Sequence, residues 1–186
     1  MANHHFAVRP TAAHAADNKD WAMVKWFKSR MVQAEQGNKS AQYDVGMMYE
    51  KGRGTDRSAR QAVHWLRMSA RQGQATAIAE LGILYFQGRA VAADYSKAFS
   101  LLSSAANQNI PNAQFYLGRV YELGKGTRRN LDVALNWYRR AAKNGYYPAR
   151  GKIGELQALI RLRQRARAAN IKHIPKTTAT GGVVTV

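Results

Sequence analysis

The chain has no cysteine, so it forms neither a disulfide nor a cysteine-ligated zinc site, and its redox compartment leaves no mark on it. Acidic residues are few: 11 against 29 lysines and arginines. No carboxylate pair stands out for general acid–base work. No apolar run approaches the ~20 residues that cross a bilayer. The histidines (His4, His5, His14, His64 and His173) are scattered, and no two stand at metal-ligand spacing on a helix. Gly124-Lys125-Gly126-Thr127 lacks the residue order of a phosphate-binding loop and follows no strand. These absences leave no catalytic constellation. No enzyme activity, cofactor, metal or small-molecule substrate is expected.

What is present begins with charge. The net charge is +18 over 186 residues, enough chain for one domain with a real core. Such an excess favours acidic partners: an acidic protein, a nucleic acid or an anionic membrane face. Near the start, Ala13-His14-Ala15 resembles a signal-peptidase site, but Arg9, Pro10 and two histidines precede it in place of an apolar stretch. A cytoplasmic protein is expected as the sequence stands, and a periplasmic one if the true N-terminus lies upstream.

The sequence also repeats itself at a step of 36 residues. Ala41, Ala77, Ala113 and Ala149 form one column, and Gly46, Gly82, Gly118 and Gly154 another. Tyr49, Tyr85 and Tyr121 keep the same step, as do Gly52, Gly88 and Gly124, and Ala62, Ala98 and Ala134. A fixed period of this length signals stacked helical units, which build extended binding surfaces. Each unit reads as two helices. The first ends at Gly52 and its equivalents, suited to a left-handed C-terminal turn. Ser58, Asp94 and Asn130 cap the second, which stops at Gly73, Asn109 and Gly145. Trp65, Leu101 and Trp137 form one inward column of that helix. A glycine inside a helix costs about 1 kcal/mol, so Gly46, Gly82 and Gly118 mark points of close approach.

The pattern Ala-x-x-x-Leu-Gly-x-x-Tyr-x-x-Gly followed by Ala-x-x-Trp-Tyr-x-x-Ala-Ala-x-x-Gly, clearest over residues 113–148, resembles the Sel-1-like repeat, a relative of the tetratricopeptide repeat. The middle unit departs from it at Ala90, in place of the second loop glycine, and at Leu101, in place of tryptophan. The resemblance implies an all-α fold: a short right-handed α-solenoid of antiparallel helix pairs with capping helices. The expected organisation is a disordered arm over 1–19, a capping helix over 20–37 begun by Asp20, repeats over 41–76, 77–112 and 113–148, a C-terminal capping helix over 149–169 and a disordered tail over 170–186. Trp21, Val24, Phe27, Met31 and Ala34 mark the apolar face of the first cap.

In related helical repeats the binding positions lie on the first helix of each unit. Carried over, they fall on Tyr43, Met47 and Glu50, then Ala79, Ile83 and Phe86, then Phe115, Arg119 and Glu122. This set is chemically mixed, as a specific groove would be; Tyr43 and Phe115 serve equally well as extra core. A second candidate surface is basic. It comprises Arg53, Arg89 and Lys125 at one loop position, Arg128 and Arg129 nearby, and Arg161, Arg163, Arg165 and Arg167 on the last helix. The resemblance implies a non-catalytic scaffold or adaptor holding a protein partner in its concave groove, and the net charge makes that partner acidic. The alternative is a basic module binding nucleic acid or an anionic membrane surface through the loop and C-terminal arginines.

Overall fold

The computed structural model describes residues 12–172, with side chains over 21–169. Eight helices follow one another: α1 (Ala12–Glu35), α2 (Lys39–Lys51), α3 (Ala59–Arg71), α4 (Ala75–Gln87), α5 (Tyr95–Asn107), α6 (Pro111–Leu123), α7 (Leu131–Lys143) and α8 (Ala149–Lys172). There is no strand among the described residues. Helices α2–α3, α4–α5 and α6–α7 form three antiparallel pairs, joined in series through α3–α4 and α5–α6, with α1 and α8 packed on the ends. Helix α4 packs directly on α6, and the backbones of α2 and α4, of α3 and α5, and of α5 and α7 approach less closely. Between the second and third pairs the first helices therefore approach each other more closely than the second helices do.

Local chemistry sets the helix ends. Ser58 Oγ accepts from Gln61 N, Asp94 Oδ1 from Lys97 N, and Asn130 Oδ1 from Asp132 N and Val133 N. Each occupies an orphan backbone donor of the first turn. The first helices end on Gly52, Gly88 and Gly124 in the left-handed region. The second helices are followed by Gly73, Asn109 and Gly145, all with positive φ. Ala90 holds φ +67° where its equivalents Gly54 and Gly126 hold +69° and +79°. The loop conformation thus survives the loss of glycine, at a cost of about 1–2 kcal/mol in backbone strain.

Packing follows the small-residue columns. A Cβ on Gly46, Gly82 or Gly118 would come within 2.8, 2.9 and 2.8 Å of Leu66, Leu102 and Tyr138. These side chains of the second helices lie directly on the first helices, and all three are fully buried. Buried glutamines fasten the seams between units. Gln42 Nε2 donates to Ala34 O and Gln114 Nε2 to Ala106 O, both at 3.1 Å. Their Oε1 atoms accept from Gln72 Nε2 and Asn144 Nδ2. Each buried amide is thereby paired through both of its ends. The middle unit has Ile78 at this position and lacks the clamp.

The ends differ from expectation. Helix α1 starts at Ala12, eight residues before Asp20, so Asp20 lies inside the helix and does not cap it. Part of the expected N-terminal arm is therefore helical; residues 1–11 lie outside the described residues. Phe27, Met31 and Ala34 pack against Ala41, Val45 and Trp65, but Trp21 and Val24 are exposed. Helix α8 reaches Lys172, three residues past the expected end at Ala169, and residues 173–186 fall outside the described residues. Leu156 is buried and Ile153 and Ile160 pack beside it, whereas Leu159 and Leu162 are exposed.

Candidate partner-binding site

The face formed by the first helices holds a cleft of about 470 Å³ between α2, α4, α6 and the turn before α8, lined among others by Met47, Glu50, Lys51, Glu80, Ile83, Asn112, Tyr116 and Tyr146. Two columns at the 36-residue step contribute four of its residues, Glu80 and Tyr116 from one and Met47 and Ile83 from the other. One runs through Asp44, Glu80, Tyr116 and Lys152, and the other through Met47, Ile83 and Arg119. The two lie three residues apart on each helix, hence side by side on one helical face.

Glu80 occupies the centre. Its carboxylate accepts from Asn112 Nδ2 at 2.9 Å and forms no ion pair among the described residues. Burial pushes its pKa above the usual carboxylate range, and the charge of Glu50 adds to the shift; Lys51, the Asn112 hydrogen bond and Arg89 oppose it. Tyr146 is raised by burial first and then by Tyr116 and Glu80. A carboxylate so placed has lone pairs free for a donor brought by a ligand.

The sequence-predicted groove residues divide into two groups. Met47, Glu50 and Ile83 line the cleft. Glu50 pairs with Arg89 at 2.5 Å. Arg119 lies over the rings of Phe86 and Tyr116, with its guanidinium 5.2 and 5.6 Å from their centroids. Phe86 itself is buried, with Tyr95 and Tyr116 edge-on to it. Glu122 is engaged internally, accepting from Tyr138 Oη and from Lys152 Nζ; burial followed by this hydrogen bond drives the Tyr138 phenol well above its ordinary range. Tyr43, Ala79 and Phe115 turn into the seams between units. Tyr43 packs against the α3–α4 core, and Phe115 against the rings of Tyr138 and Tyr146, at 5.3 and 4.9 Å between centroids. Burial, followed by the charges of Glu80, Asp44 and Glu50, pushes the Tyr43 phenol up to about 12. Of the two readings open for Tyr43 and Phe115, the structure favours core.

Glu80, Asn112, Tyr116 and Tyr146 are cleft residues that the sequence reading missed. The 36-residue step marks their columns, but residue identity changes at every turn, so nothing repeats except position.

The basic residues also divide. Arg89 is paired with Glu50, Lys125 Nζ donates to Tyr95 Oη at 2.9 Å, and Arg129 Nε donates to Glu122 O at 2.9 Å. These three fasten loops to helices. Arg53, Arg128, Arg161, Arg163, Arg165 and Arg167 are exposed. Helices α3 and α5 carry basic residues and no acidic ones, and α7 has one aspartate against three basic residues. Helices α2, α4 and α6 are close to neutral. The positive excess therefore sits mostly on the outer face, the loops and α8, although Lys51, Arg57 and Arg89 also line the cleft beside Glu50 and Glu80.

With this geometry in place, comparison with known proteins is direct. The Sel1 repeat profile matches residues 39–74, 75–110 and 111–146, one helix pair each. The chain belongs to the Sel1 repeat family. Its frame begins two residues before the one read from the alanine columns. Among solved structures, a Sel1 repeat protein from Oxalobacter formigenes is similar at 32% identity and a TM-score of 0.62, covering 70% of this chain and 51% of that one. A protective antigen of uropathogenic Escherichia coli with an SLR fold is similar at 32% identity and a TM-score of 0.65, over 69% of this chain and 28% of that one. This chain thus spans about half and about a quarter of their lengths. The cysteine rich protein B of Helicobacter pylori, at 19% identity and a TM-score of 0.50, shares the fold; that protein is named for its cysteines, and this chain reaches the same fold with none. No curated protein matches the sequence. Sel1 repeat proteins are generally protein-interaction scaffolds and typically non-catalytic. No described helix is long and apolar enough to cross a membrane.

Proposed function

We propose that this Sel1 repeat protein is a non-catalytic scaffold that holds a segment of a protein partner in the cleft over α2, α4 and α6. The observation that carries this reading is Glu80: a half-buried carboxylate with no ion pair among the described residues, hydrogen-bonded by Asn112 and flanked by Met47, Ile83 and Tyr116. The segment that fits donates hydrogen bonds to Glu80 and lays apolar side chains on Met47 and Ile83. The partner's acidic regions meet the outer face and α8, where the positive excess speeds encounter. Lys51 and Arg57, which also line the cleft, can meet an acidic side chain in the same segment.

The test is capture of partners from native lysate, nuclease-treated, with wild type, Glu80→Gln and Glu80→Lys as baits. Glu80→Lys abolishes capture with helical content unchanged, and Glu80→Gln, which keeps an acceptor for Asn112, loses about tenfold or less. Capture by Glu80→Lys at the wild-type level contradicts the cleft reading. A second reading rests on α8, where residues 161–169 are all exposed and the four arginines alternate around the helix. Such a rod suits nucleic acid or an anionic membrane. Under that reading the captured material disappears with nuclease or with truncation after Ile160.

A further inference from the structure

Two of the hollows on the outer face lie where the second repeat departs from its neighbours. At position 101, the equivalents Trp65 and Trp137 fill the seam towards the preceding second helix. Trp65 packs with Ala34 and Val45, and Trp137 against the core of Ala98, Leu102 and Leu117. Leu101 is smaller, and a hollow of about 380 Å³ opens beside it between α3 and α5, floored by Ala70 and Leu81 and walled by Tyr85.

At position 90, the equivalents Gly54 and Gly126 press on the carbonyl groups of Met23 and Tyr95, where any Cβ would collide. Met23, Ala59 and Tyr95 are themselves one column at the 36-residue step. Ala90 has a Cβ, and a hollow of about 610 Å³ lies between it, Val91 and α3, with Val63 and Met68 on its floor. Arg67 and Arg71 line both hollows, which make one furrow along α3. Arg60 and Lys97 complete its rim; no acidic side chain lines it, though Asp94 beside it pairs with Lys97 at 2.8 Å, and Arg67 donates to Tyr85 Oη at 2.8 Å.

We propose that this furrow is a second docking site, for an acidic segment of a protein partner that carries a large aromatic side chain. The ring takes the place that the repeat's own tryptophan fills at positions 65 and 137, and the flanking carboxylates meet Arg67 and Arg71. Charge selects this occupant. Residues 1–11 and 173–186 contain no acidic residue, so neither end of this chain matches the rim, and a second copy brings a net charge of +18 against it. The site is separate from the cleft and stands or falls independently of Glu80.

The test uses a labelled, end-blocked peptide, Asp-Glu-Trp-Glu-Asp, and its Trp-to-Ala counterpart of equal charge. Binding is followed by fluorescence anisotropy at physiological salt. The tryptophan peptide binds at least about tenfold tighter than the alanine peptide, as expected of a seated aromatic anchor. Leu101→Trp restores the repeat's own residue, keeps or raises the melting midpoint, and lowers affinity for the tryptophan peptide to that of the alanine peptide. Arg71→Glu, an exposed change that spares the core, weakens both peptides. Equal binding of the two peptides overturns the proposal, as does unchanged affinity in Leu101→Trp or in Arg71→Glu. Peptide-induced amide shifts that avoid α3 and α5 and fall on α8 or the cleft helices also overturn it.

Discussion

Along the inner helices, charge is largely spent within the protein: Arg30 pairs with Asp44, Arg89 with Glu50 and Lys152 with Glu122. Along the outer helices, Arg60, Arg71, Arg139 and Lys143 stand exposed, and Asp132 is the one carboxylate on α3, α5 and α7. The same 36-residue unit thus builds a nearly balanced inner face and a strongly basic outer one. The contrast separates two tasks that a total charge merges. On the proposed reading, long-range attraction belongs to the outside and short-range selection to the cleft, where a desolvated carboxylate would discriminate by geometry.

The largest expected effect comes from cutting the link between the faces. Tyr138 reaches from α7 to Glu122 on α6 and is fully buried. Tyr138→Ala removes its ring from the Gly118 surface and costs about 3–5 kcal/mol, read from urea unfolding. A loss below about 1 kcal/mol would mean that the two helix layers hold together without it.

An intermediate effect tests the loops that separate the outer furrow from the other seams. Gly126→Ala puts a Cβ against the Tyr95 carbonyl at positive φ and costs about 1–3 kcal/mol. The reverse change, Ala90→Gly, relieves strain and gains about 1 kcal/mol. If the two substitutions shift the unfolding midpoint in the same direction, loop strain does not distinguish the second repeat from the third.

The smallest effect is a pH dependence confined to the inner seam. The Tyr43 phenol lies at about 12 in the folded chain against 10.0 when free. Between these values the unfolded chain loses its proton first, so the native state binds more protons and stability falls as pH rises from 10 towards 12. Tyr43→Phe removes this contribution and flattens the alkaline limb of the stability curve by a modest amount, because the phenol is only half-buried. An alkaline limb identical in the two proteins would show that Tyr43 ionises as freely folded as unfolded.

The fold was readable because packing repeats. Gly46, Gly82 and Gly118, the caps Ser58, Asp94 and Asn130, and the stops at Gly73, Asn109 and Gly145 each recur for a steric or hydrogen-bonding reason that every unit shares. The lining of the cleft was readable only in part because its residue identities do not repeat. Met47 and Ile83 were found by position, but Glu80 shares its column with Asp44, Tyr116 and Lys152, and no shared chemistry announces it. Tyr43 stands one residue from Asp44, about 100° around the helix, and that single step turns it from the cleft into the seam. The start of α1 was missed for another reason. Asp20 has the chemistry of a cap, but the alanine-rich stretch before it favours helix, and propensity there outweighs the local capping signal.

The measurement that tests the central claim most directly is photo-crosslinking. A benzophenone side chain is placed at Met47, inside the cleft, and at Glu35, on the exposed end of α1, and each protein is irradiated with its partner bound. Covalent adduct from position 47 and none from position 35 is the predicted result. Adduct from position 35 alone, or from neither while binding persists, would contradict the cleft as the place where the partner is held.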